Sequence, residues 1–308
     1  MVDNEVEQCN YAAKFNFFGL KLELQSVLEE DIARANFIFR EFKYEGNEVD
    51  ITFYLKVKNN INVSFVNSLM MPNGSVEIFY KYTGSNEKKK WQFKDTILPP
   101  VQIEPLKGKF LVLHGCGIVN DRNEAIVFPA PSLAGKTSLM VYMVSKGYKC
   151  ISDDLLFIDT KTLKVYPYPK PVGIRERGLD LIPELEKIVE PYIDKTITFI
   201  EPNYGTKTWL IHMDDLYKNC YIEEPIKIDY IVYPDKEKDK NYKLKLNSSD
   251  NFIKLLSSLC NSGLTQAESI TATSNLISNT KSSYIMSSKF LNNLYNNLEG
   301  LKTSSEEK

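Results

Sequence analysis

Gly135-Lys136-Thr137 stands between a short apolar run, Ala125 to Phe128, and apolar residues at helical spacing, Leu139, Met140, Met143 and Val144. Between run and triplet lie Pro129, Ala130, Pro131, Ser132, Leu133 and Ala134, all small or turn-compatible apart from Leu133. Strand, tight loop, Gly-Lys-Thr and a helix stopped at Gly147 form the context in which a chain wraps a polyphosphate. A loop that brings backbone N–H groups onto an anion needs small side chains at the contact. The helix that follows aims its free N–H groups at the same place, and the binding set runs from Ala130 through Ser138. Lys136 adds a full charge near the β and γ phosphates of a nucleotide, and Thr137 offers a hydroxyl to the Mg²⁺ that the nucleotide brings. The full pattern has Gly where this chain has Ala130, which serves only if its φ is negative. The bland alternative is a helix N-terminus carrying an exposed lysine.

Beyond Gly147, the run Tyr148 to Ile151 reads as a strand that ends in Ser152-Asp153-Asp154. Strand, helix, strand in this order make a βαβ unit, and a right-handed crossover can bring the end of the second strand beside the phosphate loop. Two carboxylates then face the metal–phosphate site. Adjacent Asp residues also serve as ordinary turn formers. His114, in Leu113-His114-Gly115, lies ahead of the loop and reads either as a satisfied core imidazole or as a side chain near the γ-phosphate.

Residues 111–178 resemble the HPr kinase/phosphorylase-related kinases, whose fold is shared with ATP-dependent phosphoenolpyruvate carboxykinase. The ordered set that carries the resemblance is His114, the loop 130–137, Gly147 and Asp153-Asp154, and it spans about a quarter of the chain. The resemblance implies an α/β (α+β) phosphate-loop kinase domain that uses ATP and Mg²⁺. It implies Thr137 on the metal directly and Asp153 through water. It implies Asp154 as the group that takes or orients the acceptor hydroxyl's proton, with Lys136 on the phosphates and His114 touching Asp154 or the γ-phosphate. Three departures stand out: Ala130 for Gly, Thr137-Ser138 after the lysine, and Glu176 directly before Arg177-Gly178, out of register with the Glu-x-Arg-Gly signature. The last puts Glu176 as a metal ligand in doubt and leaves Arg175 and Arg177 between phosphate neutralisation and surface ion pairing. Together they point away from HPr kinases proper and towards relatives such as the kinases that phosphorylate a serine of a ribosomal precursor peptide in lasso peptide pathways.

The elements that must position these residues follow from the rest of the sequence. The chain has 308 residues, 43% of them hydrophobic, with a net charge of −2. That suits one large or two modest domains and gives no reason to expect nucleic acid as a partner. No stretch reads as a membrane span, residues 1–7 do not read as a signal peptide, and five scattered cysteines without metal-ligand spacing read as reduced core thiols of a cytoplasmic protein. Residues 1–105 read as a smaller β-rich domain suited to substrate recognition, with strands at 17–24, 48–57 and 76–82, turns at 71–74 and 84–87, a return strand at 88–93 and a short helix at 29–35. Lys88-Lys89-Lys90 reads as a guarded edge strand or a basic docking patch. Pro99, Pro100 and Pro105 mark the boundary.

Residues 106–302 then read as the kinase domain and 303–308 as a disordered tail. In the domain, 110–113 is a central strand, 155–159 with 163–166 a hairpin, and 167–171 a rigid proline-rich segment leading to Arg175. A helix follows at 184–192. Lys207 sits in a loop at 202–208 as a phosphate candidate. A strand at 226–233 is closed by Pro234, 235–240 is a charged loop, helices lie near 251–260, 266–278 and 288–298, and a strand at 282–286. His212 reads as structural. The function expected is ATP-dependent transfer to a hydroxyl, a peptidyl or small-protein serine first and a small-molecule hydroxyl second. The rivals are a nucleotide-binding regulatory or scaffold protein without turnover and a nucleoside triphosphatase. Homo-oligomerisation stays open.

Overall fold

A computed structural model of the chain describes residues 9–58, 67–70, 76–81, 98–131, 134–179, 183–193, 196–200, 206–235, 241–260, 262–287 and 291–303. Among these residues it is a mixed α and β structure with three sheets. The chain divides into two compact units, Met1–Leu106 and Lys107–Lys308.

The first unit holds β1 (Tyr11–Phe17), β2 (Leu20–Ser26), α1 (Glu29–Ile38), β3 (Ile51–Lys58), β4 (Asn67–Met70) and β5 (Val76–Lys81), with sheet order β1-β2-β3-β5-β4. Strict alternation buries Phe15, Phe17, Leu20, Leu22, Leu24, Phe53 and Leu55 on one face, and Ile32, Ala35 and Ile38 of α1 are buried with them. The single strand expected at 17–24 is instead a hairpin. Phe18 and Gly19 take φ of +57° and +96°, the two-residue turn that suits strand twist, and Gly19 N–H donates to Asn16 Oδ1 at 2.9 Å. The signal was hidden because Phe, not Asn or Gly, holds the first turn position. The turns at 71–74 and 84–87, the strand at 88–93 and the Lys88–Lys90 run lie outside the described residues.

The second unit holds β6 (Phe110–Val119), β7 (Ala125–Pro129), α2 (Lys136–Ser145), β8 (Lys149–Ser152), β9 (Leu155–Asp159), β10 (Lys164–Tyr166), β11 (Val172–Arg175), α3 (Glu176–Leu179) and α4 (Pro183–Ile193). It continues with β12 (Ile197–Ile200), β13 (Lys207–Ile211), α5 (Met213–Leu216), β14 (Ile226–Asp235), β15 (Lys243–Lys245), α6 (Ser248–Leu256), α7 (Gln266–Asn279), β16 (Ser282–Ser287) and α8 (Leu291–Thr303). The main sheet runs β10-β9-β6-β7-β14-β16-β15, and β10 also pairs with β14, which closes five strands into a ring. A small antiparallel sheet, β11-β13-β12, stands apart from it.

β6 organises the unit. It is longer than the four residues expected, and all of it is buried except His114. Along one edge it pairs antiparallel with β9 over its first half and with β8 over its second, while β7 lies along the other edge of that second half. β7 and β8 are therefore not neighbours, but they are parallel strands of one sheet joined through α2, the βαβ order expected. They run parallel with β6 between them, because the β6–β7 hairpin fills the place where β8 would pair.

Alternation along β6 and β7 sends Cys116, Ile118, Ile126 and Phe128 into one core with α2, α8 and the small sheet. Leu111, Leu113, Ala125 and Val127 go into the other, with Leu255 of α6 and Leu276 of α7. Pro234 does not close β14. It lies within the strand opposite Met286, where β7 no longer runs alongside, so a missing N–H is tolerated. Lys207 begins β13 rather than a loop, with its ammonium 5.2 Å from the centre of the Trp209 ring. Residues 236–240 and 304–308 are outside the described set.

Candidate active site

β7 delivers the chain to the loop at Ala130, whose N–H donates to His114 O at 3.1 Å. Ala130 is not among the described residues with positive φ, so the condition on Ala in that place is met. Ser132 and Leu133 lie outside the described residues. Gly135 carries φ +83°, a left-handed conformation that glycine takes at little cost, and its carbonyl accepts from Leu139 N to start α2. No side chain caps the helix. The missing cap costs about 1 kcal/mol. Burial of Leu139, Met140, Val141, Met143 and Val144 outweighs it, at about 1.5–3 kcal/mol for each large side chain. The first-turn N–H groups of α2 are thus left for an anion.

The loop lysine corrects one expectation. Lys136 is not exposed; it is 6% accessible, and its ammonium donates to Ala130 O at 3.0 Å, Pro131 O at 2.8 Å and His114 Nε2 at 3.1 Å. A short loop curls its carbonyls inward, and the first helical side chain is the nearest donor that can satisfy them. Burial pulls its pKa below the usual lysine range, with Asp154 acting the other way.

The carboxylate pair sits just past β8. Leu155 N–H donates to Asp153 O at 3.0 Å across Asp154, whose φ is +76°, so Asp154 is the centre of a γ-turn of the rare, strained hand. The turn sends the two side chains apart. Asp153 points to α2 and accepts from Thr137 Oγ1 at 2.7 Å. It is 5% exposed, and its Oδ1 is buried without a hydrogen-bond partner. Burial, with the neighbouring Asp154 charge, raises its pKa.

Asp154 faces the other way, with Oδ1 3.4 Å from His114 Nδ1 and Oδ2 3.3 Å from Lys170 Nζ. Burial raises its pKa, but Lys170, His114 and Lys136 together outweigh that and hold it below the usual carboxylate value.

The dipeptide His114-Gly115 ties these pieces together. His114 N donates to Ser258 O at 2.7 Å, His114 O accepts from Ala130 N, and Gly115 N donates to Asp154 O at 3.0 Å. A Cβ on Gly115 would lie 2.9 Å from both Phe128 O and Leu156 Cδ1, so only glycine lets the three strands close there.

His114, Ala130, Pro131, Gly135, Lys136, Thr137, Asp153 and Asp154 are thus brought together, with Ala134 in the loop and Ser138 in the first turn of α2. A Cβ on Gly178 would lie 3.4 Å from Ser138 Oγ, and the charge of Arg175 bears on Lys136, so the segment after β11 runs beside the loop. Glu176 is exposed at the start of α3. His212 is buried ahead of α5. Of the five free thiols, Cys116, Cys150 and Cys220 are buried, while Cys9 and Cys260 are only partly so.

Sequence reasoning missed Lys170. It is 3% exposed and follows Tyr168, whose N–H donates to Ile151 O, so the proline-rich segment lies along the end of β8. The available signal was a lone lysine between two prolines in an otherwise apolar, aromatic stretch.

Among the described residues no cluster of three or more His, Cys, Asp or Glu side chains is placed to hold a metal unaided. Mg²⁺ carried by a nucleotide needs only one or two protein ligands. The partnerless Asp153 Oδ1 and the Thr137 hydroxyl, whose proton already goes to Asp153 and leaves its lone pairs free, fit that demand. No helix among the described residues is long and apolar enough to cross a membrane.

No protein-family model matches the chain, and no curated protein matches it. Among solved structures it is similar to the Hpr(Ser) kinase/phosphatase from Coxiella burnetii. The match has 8% identity and a TM-score of 0.30, and it covers 63% of this chain and 98% of that one. At that score the likeness carries no argument.

Proposed function

We propose that the chain is an ATP-dependent phosphotransferase of the HPr-kinase-related kind, moving the γ-phosphate of Mg·ATP to a hydroxyl. The observation that carries this reading is the 2.7 Å hydrogen bond from Thr137 Oγ1 to Asp153 Oδ2, which joins the phosphate-loop helix to the carboxylate pair. When bound, Mg·ATP supplies the phosphoryl group and neutralises much of its charge.

The uncapped end of α2 holds the β and γ phosphates, and Lys136 turns from the carbonyls of Ala130 and Pro131 to them while keeping His114 Nε2. Thr137 would hold the metal directly and Asp153 would hold it through water. Asp154, whose side chain is 44% exposed, orients the acceptor hydroxyl for in-line attack and receives its proton as the bond forms. His114 donates its Nδ1 proton to Asp154 and fixes that carboxylate.

The acceptor we infer is a peptidyl serine. The first unit's sheet ends at β4, which pairs only with β5 among the described residues, and an open edge can hold an extended peptide by strand addition. The test is purified protein with γ-labelled ATP and Mg²⁺, with and without candidate acceptors. Label in a peptide supports the full reading, label in a small alcohol or sugar moves the acceptor, free phosphate alone makes the protein a hydrolase, and binding without turnover ends the kinase reading.

A further inference from the structure

We propose that Lys170 is a positioning residue that holds Asp154 in the orientation phosphoryl transfer needs. The proposal rests on the kinase reading above and assigns a role to a side chain outside the phosphate loop and the carboxylate pair.

The ion pair is lopsided. The Lys170 side chain is 4% exposed, whereas that of Asp154 is 44% exposed. A buried ammonium is costly unless paired. A pair that served packing alone would bury both partners; here the cation is sunk and the anion is held up at the surface of the site.

Lys170 is itself fixed. Its N–H donates to Tyr168 O at 2.9 Å, its carbonyl accepts from Tyr221 Oη at 3.2 Å, and its ammonium lies 6.0 Å from the centre of the Tyr168 ring. Asp154, by contrast, sits on a strained γ-turn whose backbone alone does not set the carboxylate's rotation. One oxygen lies 3.3 Å from Lys170 Nζ and the other 3.4 Å from His114 Nδ1, so the carboxylate is flanked from two sides.

The test compares wild type with Lys170→Met, which keeps the stem and removes the charge, and Lys170→Arg, which restores a cation. Phosphate release from Mg·ATP, with water as acceptor, gives turnover; a methylanthraniloyl analogue of ATP gives binding. Lys170→Met should lose about 10²-fold in kcat, the scale of a small misplacement of a reacting group, with binding retained, and Lys170→Arg should recover most of it.

A second readout needs no turnover. The chain has two histidines, so imidazole nitrogen NMR with a His212→Gln reference resolves His114. Lys170→Met should keep the Nδ1–H tautomer, which Lys136 sets, but shift the Nδ1 resonance as the Asp154 carboxylate turns away from it. If Lys170→Met does not fold, Lys170→Gln replaces it with the same expected losses. Unchanged kcat, or unchanged His114 signals, overturns the proposal. Wild type that fails to bind the ATP analogue overturns the kinase reading instead and leaves the NMR comparison to decide Lys170.

Discussion

Lys136 donates to Nε2 of His114, and this contact fixes the tautomer of the imidazole. An ammonium has no lone pair, so Nε2 must accept and the ring proton must sit on Nδ1. That proton faces Asp154 Oδ1 at 3.4 Å. Lysine, neutral histidine and carboxylate thus form a row running from the phosphate loop to the group proposed to meet the acceptor.

Lys136→Met should abolish most phosphoryl transfer. A well-placed donor at a developing charge is worth about 10²–10³ in rate, and this one also carries a full charge. The fold should survive, since the carbonyls of Ala130 and Pro131 can turn to water at the loop. Circular dichroism and phosphate release on the same preparation check both halves, and near-normal turnover would end the phosphate-loop reading.

Asp154→Asn keeps the shape of the side chain but removes a charge and a proton acceptor. Transfer should fall by about 10²–10⁴ while nucleotide binding holds. Asp153→Asn should instead raise the Mg²⁺ concentration needed for half-maximal rate. If the two substitutions exchange these effects, the roles of the two carboxylates are reversed.

His114 governs the acid side of the pH profile. Burial lowers its pKa, Lys136 and Lys170 add to that, and Asp154 opposes it. Protonated Nε2 would confront the Lys136 ammonium with a second N–H. Neutral His114 is therefore kept to pH values below the free imidazole's value of about 6.5, and its contribution to stability, full above that value, is lost as pH falls from there through the lowered value. The rate should hold flat down to that point. An acid limb at or above the free-imidazole value, absent in His114→Gln, contradicts the tautomer assignment.

Far from the site, Lys281 Nζ bridges Glu124 Oε1 at 2.8 Å and Asp229 Oδ1 at 3.0 Å, tying the strands β7 and β14. The lysine is about half exposed, so Lys281→Met should cost only about 0.5–1 kcal/mol. Burial raises the Glu124 pKa, but Lys281 and Asn120 outweigh it, leaving it lowered; that of Lys281 is raised, chiefly by its bond to Glu124. The Glu124 contribution is lost as pH falls through its lowered value, and the Lys281 contribution as pH rises through its raised one. Urea unfolding at several pH values should show the difference between wild type and variant narrowing at both extremes.

The local part of the site was legible in the sequence. Strand, loop, Gly-Lys-Thr helix, Gly147 and Asp153-Asp154 are all written within one stretch, and each rests on short-range chemistry. What was not legible depends on partners far along the chain. Nothing in the apolar run of β6 tells that it lies between β7 and β8, since buried strands carry no mark of their neighbours. Lys170 reads as a linker residue until the proline-rich segment is laid along β8. The burial of Lys136 follows from how tightly the loop curls, and the Phe18-Gly19 turn was masked by an aromatic in a position that usually advertises itself with Asn or Gly.

The bonds made by His114-Gly115 also predict which motions the site cannot have. The amides of Ala130 and Gly115 are locked into one peptide junction between three segments, and neither can be released by loop movement alone. In a deuterium-exchange experiment both should exchange with the slowest class of amides, at a rate set by unfolding of the whole unit. Nucleotide should slow exchange in the first turn of α2 and leave those two amides unchanged, because they already report on the unit as a whole.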